Sequence, residues 1–452
     1  MTTGSANPNL PHSRPLRILF INQSFWPDVV ATAQQAHDLA KHLAGEGDEI
    51  TVLASRSLYG KPGATLPARQ SVDGVKVMRV SSNFFEKRGL GTRSIDYLRF
   101  NVACLLKALT LPRQDVVVCL TTPPFVALVG AALAWLRGSK FVFWTMDLYP
   151  DLPVEAGIIK RGGLGHRFFR ALDGFCLRQA DRVVVLGRCM RERVLAKGVR
   201  ADKVELIHPW SDPTEIVDSP LPHADGAQAA KDPMARPTPA STAALNRFRK
   251  EWDIGDRFVI QYSGNYGLGH DVNTVKQAML ALKDDDRVRW VIVGDGIAKP
   301  TMEEFVASHG IRNVLMKPYQ PRSALGELIA LGDMHLVLMV PGFEGVILPS
   351  KFYGVLAAAR PVVFVGPTSS EVARVIDAER CGFVVANGRA DLLLDAVAKL
   401  RADPALAAQL GRRGRETLER RYSMQDACAA WDRLLHCLCP APAGTEGGAH
   451  KG

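Results

Sequence analysis

Lys351 follows Pro349-Ser350 and opens a short, mostly apolar run, Phe352-Tyr-Gly-Val-Leu356. Pro-Ser ahead of such a run reads as a helix start, with Ser350 as its cap. A lysine in the first helical turn opposes the helix dipole and is unfavourable there unless an anion lies beside it. That local mismatch points to function, and the chemistry it suits is binding of a diphosphate. Two glycine-bearing turns suit the same anion: Gly264-Asn265-Tyr266-Gly267, within Tyr262 to His270, and Gly294-Asp295-Gly296. Glycines after a strand let backbone N–H groups approach a phosphate, and a following helix N-terminus adds positive potential. Tight β-to-α turns and Asp-Gly turns also favour glycine without any ligand. Asp147, in Met146-Asp-Leu-Tyr-Pro-Asp151, comes straight after a buried strand. Its carboxylate can orient a hydroxyl, or take its proton if burial raises the pKa. It can equally cap its own turn. Pro150 favours an extended loop here, and Glu155 is the second choice for the same role.

These segments need strands to carry them. Leu16 to Asn22 is a β-rich apolar run, followed by a loop, a helix over about 31–45 and a strand at 49–54. Strands follow at 115–120, 140–144, 182–186 and 203–207, with helices at 125–136 and 165–179. A second series has strands at 257–262, 288–293, 313–316, 335–339, 361–365 and 382–385, closed by an amphipathic helix over 424–438. Buried parallel strands read as continuous apolar runs, so both halves predict doubly wound parallel sheets. Ligands of such sheets bind beyond the carboxyl ends of the strands, which is where all four segments lie. The organisation predicted is a tail at 1–14, one Rossmann-like domain at 15–210, a Pro/Ala/Ser-rich linker at 211–244, a second domain at 245–421, the helix, and a tail at 439–452.

Length and composition agree: 452 residues, 47% hydrophobic and 23% charged, fit two globular domains. A net charge of +10, spread along the chain, favours anionic partners. The 8 cysteines form no ligand-spaced pair and fit a reducing compartment. The apolar run 125–136 is far shorter than the roughly 20 residues of a spanning helix.

Taken together, the chain resembles the family-4 retaining glycosyltransferases of GT-B fold, over about 16–438. The branch is the one that builds bacterial exopolysaccharide and O-antigen, colanic-acid-type and fucosaminyl transferases among them. The resemblance rests on Glu344 to Gly354 running into Arg360-Pro-Val362, on Ser263 to Gly267, Gly294-Asp-Gly296, Asp147-Leu-Tyr-Pro150 and His208-Pro-Trp-Ser-Asp212. It implies a nucleotide-diphosphate-sugar donor held by the second domain through Gly264, Asn265 and Lys351, with no metal and no cofactor. It implies an acceptor on the first domain, usually lipid-linked, and hence a cytoplasmic protein in peripheral contact with anionic membrane. Residues 84, 85, 90 and 98 are its apolar candidates for that contact, and Arg88, Arg93, Arg99, Lys107, Lys160 and Arg161 its basic ones. Two positions depart from the pattern. The family's paired glutamates, the second of which holds the nucleotide ribose, fall here on Val346 and Gly354, or on Glu344 and Phe352. Glu344 is the remaining acidic candidate. Where many relatives have His-Asp, this chain has Met146-Asp147.

Other classes fit less well. The first βα turn, Asn22 to Asp28, has no glycine, which excludes a dinucleotide fingerprint. No basic stripe with interleaved aromatics supports nucleic-acid binding. A sugar-nucleotide 2-epimerase shares the two-domain architecture and is the enzymatic alternative.

Overall fold

The structure is a computed structural model that describes residues 14–28, 30–58, 61–81, 90–211, 216 and 246–440. The tails expected at 1–14 and 439–452 and the linker at 211–244 lie almost wholly outside these. The first domain is built on β1 (Arg17–Ile21), β2 (Glu49–Ser55), β5 (Arg69–Val72), β6 (Val75–Ser81), β7 (Val116–Cys119), β8 (Lys140–Thr145), β9 (Arg182–Val185) and β10 (Val204–Leu206). A small hairpin, β3 (Ser57–Leu58) and β4 (Lys61–Thr65), stands apart. The large sheet has the order β10-β9-β8-β7-β1-β2-β6-β5, and every pair in it is parallel except β5 with β6. β7 is buried along its whole length and β8 in all but its first residue, which explains their uninterrupted apolar sequences. Helices α1 (Ala31–Gly45), α2 (Leu90–Leu109), α3 (Ala127–Arg137), α4 (Asp151–Glu155), α5 (Leu164–Gln179) and α6 (Arg188–Ala196) complete the domain.

Between β2 and β7 the sequence pattern had suggested no elements. The β5–β6 hairpin found there turns through Asp73-Gly74, both at positive φ, a two-residue turn that this pair favours. β5 is short and alternates burial only weakly, so its periodicity is faint, whereas β6 buries every second residue, Val75, Val77 and Arg79, the last of them charged.

The second domain is a six-stranded, all-parallel sheet: β11 (Phe258–Ser263), β12 (Val288–Val293), β13 (Val314–Lys317), β14 (Met334–Leu338), β15 (Val362–Val365) and β16 (Gly382–Val385). The order β13-β12-β11-β14-β15-β16 reverses between β11 and β14. The loops leaving those two strands therefore diverge and open a crevice at the switch point.

The helix Met424–Leu438 returns to the first domain. Trp431, Cys428 and Leu435 are buried in the same core as β1, β7 and β8, while Tyr422, two residues before the helix, belongs to a core of the second domain. Ser423 caps the helix by accepting from the Asp426 N–H at 3.0 Å. Trp431 lies 4.6 Å, centroid to centroid, from Trp144 at the end of β8, and Trp144 stacks on Trp210 at 6.0 Å. The last helix thus braces the strand that leads to Asp147. Trp431→Ala is expected to cost roughly 3–5 kcal/mol, read as a lowered first unfolding transition in calorimetry. An unchanged transition would show that the helix does not stabilise the first domain.

Candidate active site

The loops after β11 and β12 are pressed together, and that contact accounts for two of the glycines. A Cβ on Gly294 would stand 2.1 Å from the Gly264 carbonyl oxygen, and one on Gly296 2.5 Å from Asn265 Oδ1. Both sit at positive φ, +134° and +149°. The Tyr266 N–H donates to the Asp295 carbonyl at 2.9 Å, and the exposed Asp295 carboxylate accepts from its own Gly296 N–H. Gly294, Asp295 and Gly296 therefore brace the β11 loop, the ligand-free reading of such a turn. Gly264 differs: a Cβ there would lie 3.1 Å from Lys351 Nζ, so its bareness makes room for the lysine.

Lys351 begins the helix Lys351–Ala357, as the sequence suggested, but Ser350 does not cap it: its backbone is already helical and its side chain makes no cap bond. The expected helix N-terminus after the Gly264–Gly267 turn is also closed off. Helix Val272–Ala281 starts beyond His270, and Asp271 accepts from its Thr274 N–H at 3.1 Å and from Thr274 Oγ1 at 2.7 Å. Lys351 Nζ donates to the Tyr262 hydroxyl, stands 4.0 Å from the centre of that ring, and lies 3.4 Å from His270 Nε2. Tyr262 in turn donates to the Asn265 carbonyl at 2.7 Å, tying the lysine to the β11 loop. No carboxylate pairs with Lys351 among the described residues. Burial lowers its pKa to about 7. His270 is pushed down to about 3, by burial first and by the lysine charge second. Tyr262 and His270, which sequence reasoning did not single out, are thus the immediate surroundings of the lysine.

Glu344 does not face that crevice as a free acid. Its Oε2 accepts from the Gly342 N–H at 2.7 Å and its Oε1 from Ser369 Oγ at 3.4 Å, so it shapes its own loop. Val346 and Phe352 are buried apolar residues, and a Cβ on Gly354 would meet only Ile329 within 4 Å. Of the positions that the family pattern marks for glutamate, Glu344 alone carries a carboxylate.

On the first domain, Asp147 lines a small, mostly apolar pocket with Leu120, Phe125, Phe143 and Cys176, into which Thr121, Tyr149 and the Asp173 carboxylate also reach. Burial in these surroundings raises its pKa to about 6. Its N–H donates to Thr121 Oγ1 at 3.3 Å. The loop is not extended, as Pro150 had suggested. It turns at once into α4, with the Leu152 N–H donating to the Leu148 carbonyl at 2.9 Å. Glu155, the second choice, is engaged by Arg161 at 2.6 Å and approached by Arg193 at 3.8 Å.

The two domains meet at these loops. The Leu148 N–H, next to Asp147, donates to the Val346 carbonyl at 2.9 Å. Arg193 of α6 donates to the Glu344 carbonyl and, at 2.7 Å, to that of Gly342. A Cβ on Gly345 would lie 2.4 Å from the Cys189 carbonyl, so the approach requires glycine. Glu371, buried at the head of helix Glu371–Glu379, accepts from the Arg188 N–H at 2.9 Å and pairs with its guanidinium. These clasp residues were missed because nothing local in the sequence distinguishes them. Of His208-Pro-Trp-Ser-Asp212, residues 208–211 are described and lie at the crossing between domains: His208 packs edge-on against Tyr422 at 5.0 Å, and Trp210 Nε1 donates to Asp38 at 3.3 Å.

Comparison with known proteins agrees with this geometry. Residues 31–210 match the glycosyl transferase 4-like domain, and residues 246–417 match the glycosyl transferases group 1. The chain belongs to the GT-B glycosyltransferases. This glycosyltransferase is similar to the putative colanic acid biosynthesis glycosyl transferase WcaI of Escherichia coli, 23% identical over 80% of this chain and 86% of that one. It is similar also to the probable glycosyltransferase WbjE of Pseudomonas aeruginosa, 28% identical over 68% and 70% of the two chains. Its fold matches that of Anabaena HepE, solved in complex with UDP-glucose, with a TM-score of 0.66 at 13% identity over 93% of this chain and 100% of the other.

The lysine has a consequence for stability. Its folded pKa, about 7, is below the ordinary 10.5, so between these values the unfolded chain holds a proton that the folded chain lacks. Stability must then rise with pH across that window, and the penalty is fully present below about pH 7. Lys351→Met is expected to raise the ligand-free melting temperature at pH 6 by roughly 2–5 °C, with the difference from wild type shrinking by pH 9. A constant difference across that range would place the Lys351 pKa outside it.

Proposed function

We propose that this glycosyltransferase moves a hexosyl or N-acetylhexosaminyl group from a nucleotide-diphosphate sugar to a lipid-linked glycan, in synthesis of a bacterial surface polysaccharide. Transfer proceeds with retention of configuration and without a metal ion, at the cytoplasmic face of the membrane. The observation that carries the reading is Lys351: a part-buried ammonium with no carboxylate partner among the described residues, at the sheet's switch point, beside a loop kept bare by Gly264. A donor diphosphate supplies the missing negative charge and restores the lysine to its charged form. In transfer the bond from the sugar's anomeric carbon to the phosphate oxygen breaks while the acceptor oxygen bonds to that carbon from the same face. Lys351 and the backbone at Asn265 stabilise the departing diphosphate in the way preorganised donors stabilise developing charge, while Gly264, whose N–H is given to the Val293 carbonyl at 2.9 Å, contributes by leaving room for the lysine. Asp147 orients the acceptor hydroxyl, whose proton passes to the leaving phosphate oxygen or to this carboxylate. With a pKa raised to about 6, Asp147 is a stronger base than an exposed aspartate. The relatives named for an activity are transferases, which favours transfer over 2-epimerisation in the same architecture.

Peripheral membrane contact is supported by the first domain's surface. Of the basic and apolar residues expected to make it, the side chains of residues 84, 85, 88, 90 and 93 lie outside the described set. Leu98 is 64% exposed, and Arg99 is exposed though paired with Asp96. Lys160 and Arg161 are exposed and Lys107 partly so. The structure adds Trp135 and Leu164, each 85% exposed, and Phe168 at 63%. These stand on α2, α3 and α5, which pack side by side, so the apolar residues share one face of the domain.

The two domains are separable by experiment. Lys351→Ala should lower the transfer rate by about 10²–10³, whereas Asp147→Asn should leave nucleotide binding intact and strongly reduce transfer. Both variants are measured by donor-binding calorimetry and by product formation. Wild-type transfer by Lys351→Ala removes the lysine from the donor site, and wild-type transfer by Asp147→Asn leaves that residue a structural role. For the membrane face, combined serine substitution of Trp135, Leu164 and Phe168 should weaken sedimentation with anionic vesicles by about tenfold or more. Wild-type binding should weaken as salt rises, since each nearby basic residue adds about 1 kcal/mol at an anionic surface. Equal sedimentation with neutral vesicles would refute the electrostatic part.

A further inference from the structure

A broad groove lies between α5 and α6, next to the turn that carries Asp147. Its floor is small, formed by Ala171, Gly174 and Ala196, and its rim carries six Lys or Arg side chains against a single carboxylate, Asp151. Half of those cations are already engaged. Lys197 pairs with Asp151 and, at 2.8 Å, with Asp173; Arg193 donates to the carbonyls of Gly342 and Glu344; Arg161 pairs with Glu155. The other half, Arg167, Arg170 and Arg178, make no ion pair and no side-chain hydrogen bond among the described residues.

These three arginines lie along one side of α5, separated by Ala171 and Gly174. Arg178 does not point away into solvent. Its Nη1 lies 3.0 Å from where a Cβ on Gly174 would be, so the missing side chain lets the guanidinium fold back over the helix. Like charges gathered on one groove wall repel and lower stability unless an anion joins them. Guanidinium groups present forked donors that match phosphoryl oxygens. From Arg167 to Arg178 the helix rises about 16 Å, too far for one phosphate and suited to a ligand with more than one phosphoryl group and its substituents.

The surroundings define that ligand further. At one end the groove is lined by Pro150 and Asp151, in the turn that carries Asp147. On the adjoining side of α5, Leu164, Phe168 and Phe175 are exposed. We propose that the groove binds the diphosphate of a lipid-borne diphosphate ester, the acceptor, with Arg167, Arg170 and Arg178 as its phosphoryl ligands. The sugar end then reaches toward Asp147 and the lipid lies along Leu164, Phe168 and Phe175. This inference rests on the glycosyltransferase reading but concerns a second anion site, separate from the one at Lys351.

The test uses the full chain and three probes: a short-chain prenyl diphosphate, uridine diphosphate, and vesicles of phosphatidylcholine with phosphatidylglycerol. Combined Arg167→Gln, Arg170→Gln and Arg178→Gln should weaken prenyl diphosphate binding at least about tenfold and leave uridine diphosphate binding unchanged. Lys351→Ala should do the reverse. The three positions are exposed, and an unchanged melting temperature confirms that the variant is folded. Lysine at all three should retain part of the binding. The proposal is overturned if the glutamine variant binds prenyl diphosphate as the wild type does. It is also overturned if that variant loses phosphatidylglycerol vesicles to the same extent, since the groove would then be a general headgroup surface. Failure of the wild type to bind uridine diphosphate would instead count against that nucleotide as the donor's, and the prenyl diphosphate result would still decide the groove.

Discussion

An ammonium group enclosed by protein with no carboxylate beside it is costly, and the fold is arranged to hold one. Lys351 stays in place because Tyr262 accepts its hydrogen bond, Gly264 has no side chain to displace it, and the helix it begins is anchored by the buried residues Phe352, Tyr353 and Leu356. Gly264 can be bare only because Gly294 and Gly296 let the β12 loop support the β11 loop from behind. Each requirement follows from the one before, and the chain of them ends at the switch point of a six-stranded parallel sheet.

Contact between the domains is of a different kind. Arg193 donates to carbonyls, Glu371 takes the Arg188 N–H and guanidinium, and Leu148 donates to Val346. Apolar side chains cross as well: Leu152 and Ala156 of the first domain pack against a core of the second, and Leu348 packs against the core of the first. The last helix adds a further apolar attachment. Trp431 is buried against Trp144, so the chain leaves the second domain after Tyr422 and is pinned to the first.

Much of this was legible in the sequence because burial on both faces writes itself into a strand. β12, β16 and the last helix have the bounds that their apolar patterns suggest, and most other elements shift by a residue or two. The short hairpins before α2 have no such signature. At the site, the sequence located the loops but not the division of labour within them. Glycine is needed equally for a close backbone approach and for a ligand, and only distances show that Gly294 and Gly296 serve the first purpose. Glu344 looked like the remaining acid of a reduced motif. Its partner, the Gly342 N–H, is two residues away, and that bond depends on a turn whose shape no periodicity records.

The protonation of the empty site follows from the same burial. Asp147 is pushed up to about 6 and Lys351 down to about 7, so each is drawn toward its neutral form by the loss of water. Neither has a fixed counter-charge within the described residues that would commit it. A diphosphate entering beside Lys351 raises that lysine's pKa, since an opposite charge favours the ammonium, and the complex takes up protons at neutral to mildly alkaline pH. Departure of the diphosphate reverses the change and returns the lysine toward neutrality. Desolvation is what raises the pKa of Asp147, and its pocket also holds the Asp173 carboxylate, so loss of the remaining water would raise it further. The two loops thus differ in what would favour their charged forms: an anion beside Lys351, and water or a hydrogen-bond donor beside Asp147.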